Sequence, residues 1–124
     1  MRVFKTKDFV RFARKEKIDD AALCEAVARA ERGVVDADLT GGLIKQRVPR
    51  KGQGRSAGYR TVIAWRRGER SFFMYGFAKN AMDNIDDDDL KRLKGVAAAL
   101  LQLGTAELET AVESKKLTEV MCDG

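Results

Sequence analysis

No histidine occurs in the 124 residues of this chain. That absence excludes a His general base, a Cys-His or Ser-His nucleophilic pair, and a His-ligated zinc or iron centre. Any chemistry has to run on lysine, arginine, tyrosine and carboxylates. Proline occurs once, and a composition of 44% hydrophobic and 35% charged residues describes an ordered globular chain rather than a disordered or fibrous one. The two cysteines, Cys24 and Cys122, are too few for a disulfide framework and lack metal-site spacing. Cys24 falls within a helical apolar pattern and is expected in the core. The longest apolar run, Val96 to Leu101, is far short of a membrane span, and no signal-like segment opens the chain. These absences predict a cytoplasmic protein that makes no use of a membrane.

Acidic residues are missing locally. Between Gly41 and Gly68 there is no Asp or Glu, while Lys45, Arg47, Arg50, Lys51, Arg55, Arg60, Arg66 and Arg67 fall in that window. Residues 41–70 hold nine Lys or Arg and one acid, Glu69, a net +8; the rest of the chain, with 15 basic and 18 acidic residues, is −3, against a total of +5. Such polarisation suits an anionic polymer better than a small neutral metabolite. Binding to a polyphosphate would weaken steeply with salt.

The length fits one domain with one core, read as residues 1–124 with 105–124 as a C-terminal extension. Met1 to Thr6 reads as a short strand. Phe9, Val10, Phe12 and Ala13 give an amphipathic helix with Arg11, Arg14, Lys15 and Lys17 on its other side. A second helix starts at Asp19 and Asp20, carries Ala22, Leu23, Ala26, Val27 and Ala30 at helical spacing, and ends at Gly33. Val34 to Gly42 reads as a connector. Leu43 to Val48, Tyr59 to Arg66 and Ser71 to Phe77 read as strands of an antiparallel meander, with Pro49 to Gly58 as the loop between the first two. Asp86 to Asp89 open a further helix, where their charges complement the helix dipole, so no metal site is invoked for them. Thr105 caps a last helix, and Leu117 to Met121 forms a terminal strand or a tail. The order describes an α+β domain, a small, mainly antiparallel sheet with helices packed on one face.

The segments LIKQRV (Leu43 to Val48), GYRTV (Gly58 to Val62) and FFMYGFAKN (Phe72 to Asn80), with the basic glycine-rich loop between the first two, resemble the RelE/ParE superfamily of type II toxin-antitoxin toxins. The closest likeness is to the HigB-like branch. It covers most of the chain from Phe4 to about Leu101 and is strongest over residues 42–85. The resemblance implies a RelE-like fold and a metal-independent, cofactor-free endoribonuclease, an mRNA interferase that enters the ribosome and inhibits translation. It also implies a cognate antitoxin, often of helix-turn-helix type, that holds the enzyme inactive. A gyrase-poisoning ParE-like toxin and a non-catalytic RNA-binding regulatory module are the other readings.

RNA cleavage needs a base for the 2′-hydroxyl, positive charge for the phosphorane and an acid for the leaving 5′-oxygen. Arginine is permanently charged and forks onto two phosphate oxygens. Lysine becomes a base where crowding by other cations lowers its pKa. By resemblance, Lys45 is the candidate base, Arg60 the main phosphate clamp, Arg47 a phosphate ligand or acid, and Lys79 a stabiliser or acid, with the two lysines interchangeable as base. Asn80 stands where an arginine is expected beside Lys79, and Ile85 and Asp86 occupy the place of a late aromatic. Tyr59 or Tyr75 could stack the attacked nucleotide or simply pack. Arg50, Lys51, Arg55, Arg66 and Arg67 are read as contacts to RNA or ribosomal phosphate. Arg60 could alternatively pair with Glu69 across a hairpin.

Overall fold

A computed structural model describes residues 1–49, 58–78 and 86–122. Its elements in chain order are β1 (Arg2–Thr6), α1 (Lys7–Glu16), α2 (Asp20–Glu31), β2 (Ala37–Thr40), β3 (Leu43–Val48), β4 (Tyr59–Arg66), β5 (Arg70–Phe77), α3 (Asp87–Leu101), α4 (Thr105–Glu113) and β6 (Leu117–Val120). The α+β class and the antiparallel meander of β3, β4 and β5 are as the sequence predicts. The sheet has six strands in the order β2-β3-β4-β5-β1-β6. β1 runs parallel to β5 and antiparallel to β6, so the N-terminal strand lies inside the sheet.

Local chemistry sets the helix starts. Thr6 accepts from the Phe9 N–H, Asp19 from Ala22 and Asp86 from Asp89, each satisfying an amide that has no partner within its helix. Asp87, Asp88 and Asp89 fill the first turn of α3, where the helix dipole favours negative charge.

Three expectations need correction. The helices cover both faces of the sheet rather than one. α1 and α2 pack Phe9, Ala13, Leu23, Ala26 and Val27 against Val3, Ile44, Val48, Ile63 and Phe73. α3 and α4 pack Ala97, Leu101 and Leu108 against Phe4, Leu43, Val62, Ala64 and Phe72 on the other side. The physical reason is visible in β4, where Thr61 to Ala64 are buried without alternation, as a strand must be when both of its faces are covered. Within the predicted connector, Ala37–Thr40 pairs with β3 as an edge strand. Cys24 and Cys122 form a disulfide with Cα atoms 5.6 Å apart. It joins α2 to the residues just after β6, and Cys24 is only partly buried at the margin of the core.

Residues 105–120 are knitted into the domain through Leu108 and Leu117 in the second core and β6 on β1. Arg2 reinforces that edge. Its guanidinium donates to both Glu119 carboxylate oxygens at 3.0 Å and lies 2.7 Å from Glu109.

Candidate functional site

Side chains directly opposite on antiparallel strands share a face, as do those two apart along a strand. Arg47 on β3 is registered with Arg60 on β4, and Arg60 with Phe77 on β5. One row along, Lys45 is registered with Val62, and Val62 with Tyr75. Lys45, Arg47, Arg60 and Tyr75 therefore project to the same side of the sheet. It is the side on which Val62 and Phe77 join the α3/α4 core.

A bulge in β5 and the glycine at 76 complete this arrangement. The register shifts between Val62 and Ile63, so that Met74 is the extra residue and Tyr75 faces Val62. A Cβ on Gly76 would collide with the Phe12 ring of α1. Position 76 thus points at α1, which leaves 75 and 77 on the opposite side. Tyr75 is 44% exposed, and its ring lies 6.3 Å from that of Phe77.

Lys45, Arg47 and Arg60 line an open groove of about 230 Å³ together with Asp36, Ala37 and Gln46. Its backbone is pinned from the α2 side. Asp36 accepts the Arg47 N–H at 2.7 Å, and the buried guanidinium of Arg29 donates to the Arg47 carbonyl. Beyond the N-terminal end of β2, these two side chains take the place of a neighbouring strand. Arg29 is 3% exposed, is held by Glu25 at 2.9 Å and lies 3.7 Å from the Asp36 carboxylate. The buried Gln46 amide donates to the Ala26 and Val34 carbonyls and accepts from the Asp36 N–H, each at 3.0 Å. Arg29, Asp36 and Gln46 escaped the sequence reading. For Arg29 a signal existed: it lies three residues beyond Ala26, on the apolar side of its helix. Asp36 had none.

The remaining predicted residues are distributed elsewhere. Tyr59 is 5% exposed on the α1 face, edge-on to Phe12 at 5.7 Å, with its hydroxyl 3.5 Å from the Glu16 carbonyl. It packs behind the groove, so of the two tyrosines Tyr75 is the one on the cations' face. Arg66 and Arg67 lie at the far end of β4, six or more residues from Arg60, roughly 20 Å along the strand. Arg66 donates to the Leu101 carbonyl at 2.9 Å and Arg67 to the Glu31 carbonyl at 2.8 Å, which places both at helix C-termini. Glu69 is 4.0 Å from Arg66, at that same end, and is not positioned to meet Arg60. Lys79, Arg50, Lys51 and Arg55 lie outside the described residues.

Among the described residues, no three His, Cys, Asp or Glu side chains converge as metal ligands would, and no helix is long and apolar enough to cross a membrane. What the groove offers is positive charge from three cations with one carboxylate at its margin, on the sheet face from which the exposed Tyr75 also projects. Comparison with curated proteins finds no significant match. The family model described as the RelE toxin of the RelE / RelB toxin-antitoxin system matches residues 1–120. The chain thus belongs to the RelE toxin family, as the toxin of a type II toxin-antitoxin system whose counterpart is a cognate antitoxin.

Proposed function

We propose that the protein is a ribosome-dependent endoribonuclease of the HigB-like kind, which cuts messenger RNA at the groove lined by Lys45, Arg47 and Arg60. The observation that carries this reading is the convergence of Lys45, Arg47 and Arg60 on one sheet face next to Tyr75. Lys45 removes the 2′-hydroxyl proton, and the resulting alkoxide attacks the adjacent phosphorus. The P–O5′ bond breaks, leaving a 2′,3′-cyclic phosphate and a 5′-hydroxyl that takes a proton from a second cationic group. Arg47 or Lys79 fills that last role, and the other binds phosphate.

Arg60, opposite Arg47 in register, holds the non-bridging oxygens, and Arg47 joins it from the neighbouring strand where Lys79 is the acid. Their charge counts most as the phosphorane gains negative charge. Tyr75 supplies a face on which a base adjoining the scissile bond stacks. Arg50, Lys51 and Arg55, which follow β3 in sequence, belong in this reading to ribosomal RNA contacts.

The test is expression of the toxin with and without Lys45→Ala plus Arg60→Ala. The folded double variant is expected to lose growth arrest and messenger cleavage in translating extracts. Undiminished arrest by that variant overturns the assignment, and arrest accompanied by altered DNA supercoiling would replace it with gyrase poisoning.

A further inference from the structure

A second group of cations lies away from the groove. Lys7, Arg11 and Arg14 occur at i, i+4 and i+7 on α1 and share one face of it, opposite the buried Phe9 and Ala13. All three are exposed. Together with Lys115 from the turn between α4 and β6, and with Val10 and Thr118, they line a depression of about 300 Å³. We propose that this depression is a second RNA-binding site that holds ribose-phosphate backbone away from the place of cleavage.

Charge and surface character argue for RNA over a protein partner. Four of the six lining residues are cationic, and Val10 is the sole apolar one of any size. Protein interfaces centre on apolar and aromatic anchors, whereas nucleic-acid interfaces are polar and positively charged. Lys7 to Arg14 spans about 10 Å of helix at 1.5 Å per residue, enough to follow consecutive phosphates. Asp8 bonds Arg11 at 2.8 Å, but both side chains are more than two-thirds exposed. An exposed pair of that kind contributes little and yields readily to a phosphate.

Position separates this site from the first. α1 packs on the Phe73 and Ile63 face of the sheet, whereas Lys45, Arg47 and Arg60 project from the opposite face. A strand lying in the reaction groove does not also fill the α1 depression, so the second site holds a different stretch of RNA. The inference does not depend on the proposed cleavage.

The experiment measures binding of a short 2′-O-methyl RNA, inert to 2′-hydroxyl chemistry, as a function of salt. It compares the wild type, Lys7→Gln/Arg11→Gln/Arg14→Gln, Lys45→Ala/Arg60→Ala and all five substitutions together. Glutamine keeps helix propensity and removes charge. The α1 triple variant is expected to weaken binding and to flatten the slope of log K against log salt by about 2, at about 0.7 per lost single-strand phosphate contact. The same drop is expected in the Lys45/Arg60 background. An unchanged slope and affinity in the folded triple variant overturns the proposal. So does RNA binding that is unaffected while affinity for an oligoglutamate peptide falls, since that outcome assigns the depression to an acidic protein segment.

Discussion

Arg47 is fixed by its backbone before its side chain meets any substrate. Asp36 takes its N–H and Arg29 its carbonyl, so the strand carries its direction past the point where β2 ends. Replacing Arg29 with methionine keeps volume but strands that carbonyl, at a cost of about 1–3 kcal/mol. Urea unfolding of Arg29→Met checks this. Cleavage activity is expected to fall in the variant even under conditions where it is fully folded, because Arg47 loses its alignment. At the aromatic residue the expectation differs: Tyr75→Phe keeps a stacking face and most activity. Tyr75→Ala loses about 1–3 kcal/mol of base stacking, read in single-turnover cleavage as weaker substrate binding. Lys45, Arg47 and Arg60 were picked out by the likeness of their segments to the family, and the β3–β4 register places them on one face. Arg29 was passed over: its place on the apolar side of α2 marked it as buried, but gave no sign of which distant carbonyl it reaches.

Elements announce themselves to the extent that their own residues decide them. The caps Asp19 and Asp86 and the β-branched run of β4 are local signals, and α2, α3 and β4 follow from them. Asp86→Ala is expected to destabilise the protein by about 1 kcal/mol through the lost bond to the Asp89 amide, measurable as a lower thermal midpoint. β2 is the contrary case. ADLT is short and half polar, and it becomes a strand only because β3 offers an edge and Gln46 grips the chain before it.

The β1–β6 edge carries a pH dependence. Hydrogen bonds from Arg2, outweighing partial burial, hold the Glu119 carboxyl below the ordinary glutamate range. A depressed folded-state pKa means the stabilisation is present above the unfolded value and is lost as pH falls through the folded one. Stability measured by urea midpoint against pH is therefore expected to drop on the acid side, and Glu119→Gln to flatten that limb.

At the scale of the whole molecule, the disulfide spans 98 of the 124 positions of the sequence. In the chain-entropy account, closing a loop of that size stabilises by about 4–5 kcal/mol. Cys122→Ser is expected to lower the urea midpoint of oxidised protein and to leave that of fully reduced protein unchanged. Such a pairing could not be read from two cysteines so far apart, nor could the placing of helices on both faces be read from helix patterns alone. Both depend on how the sheet folds back on itself.

The first strand in sequence finds both of its neighbours far along the chain. β1 takes its neighbours from β5 (Arg70–Phe77) and β6 (Leu117–Val120). A growing chain therefore offers β1 its first partner only once β5 has been made, and the sheet is complete only after β6 has joined. A chain cut short before β6 would accordingly leave β1 as an open sheet edge with which a neighbouring molecule can pair.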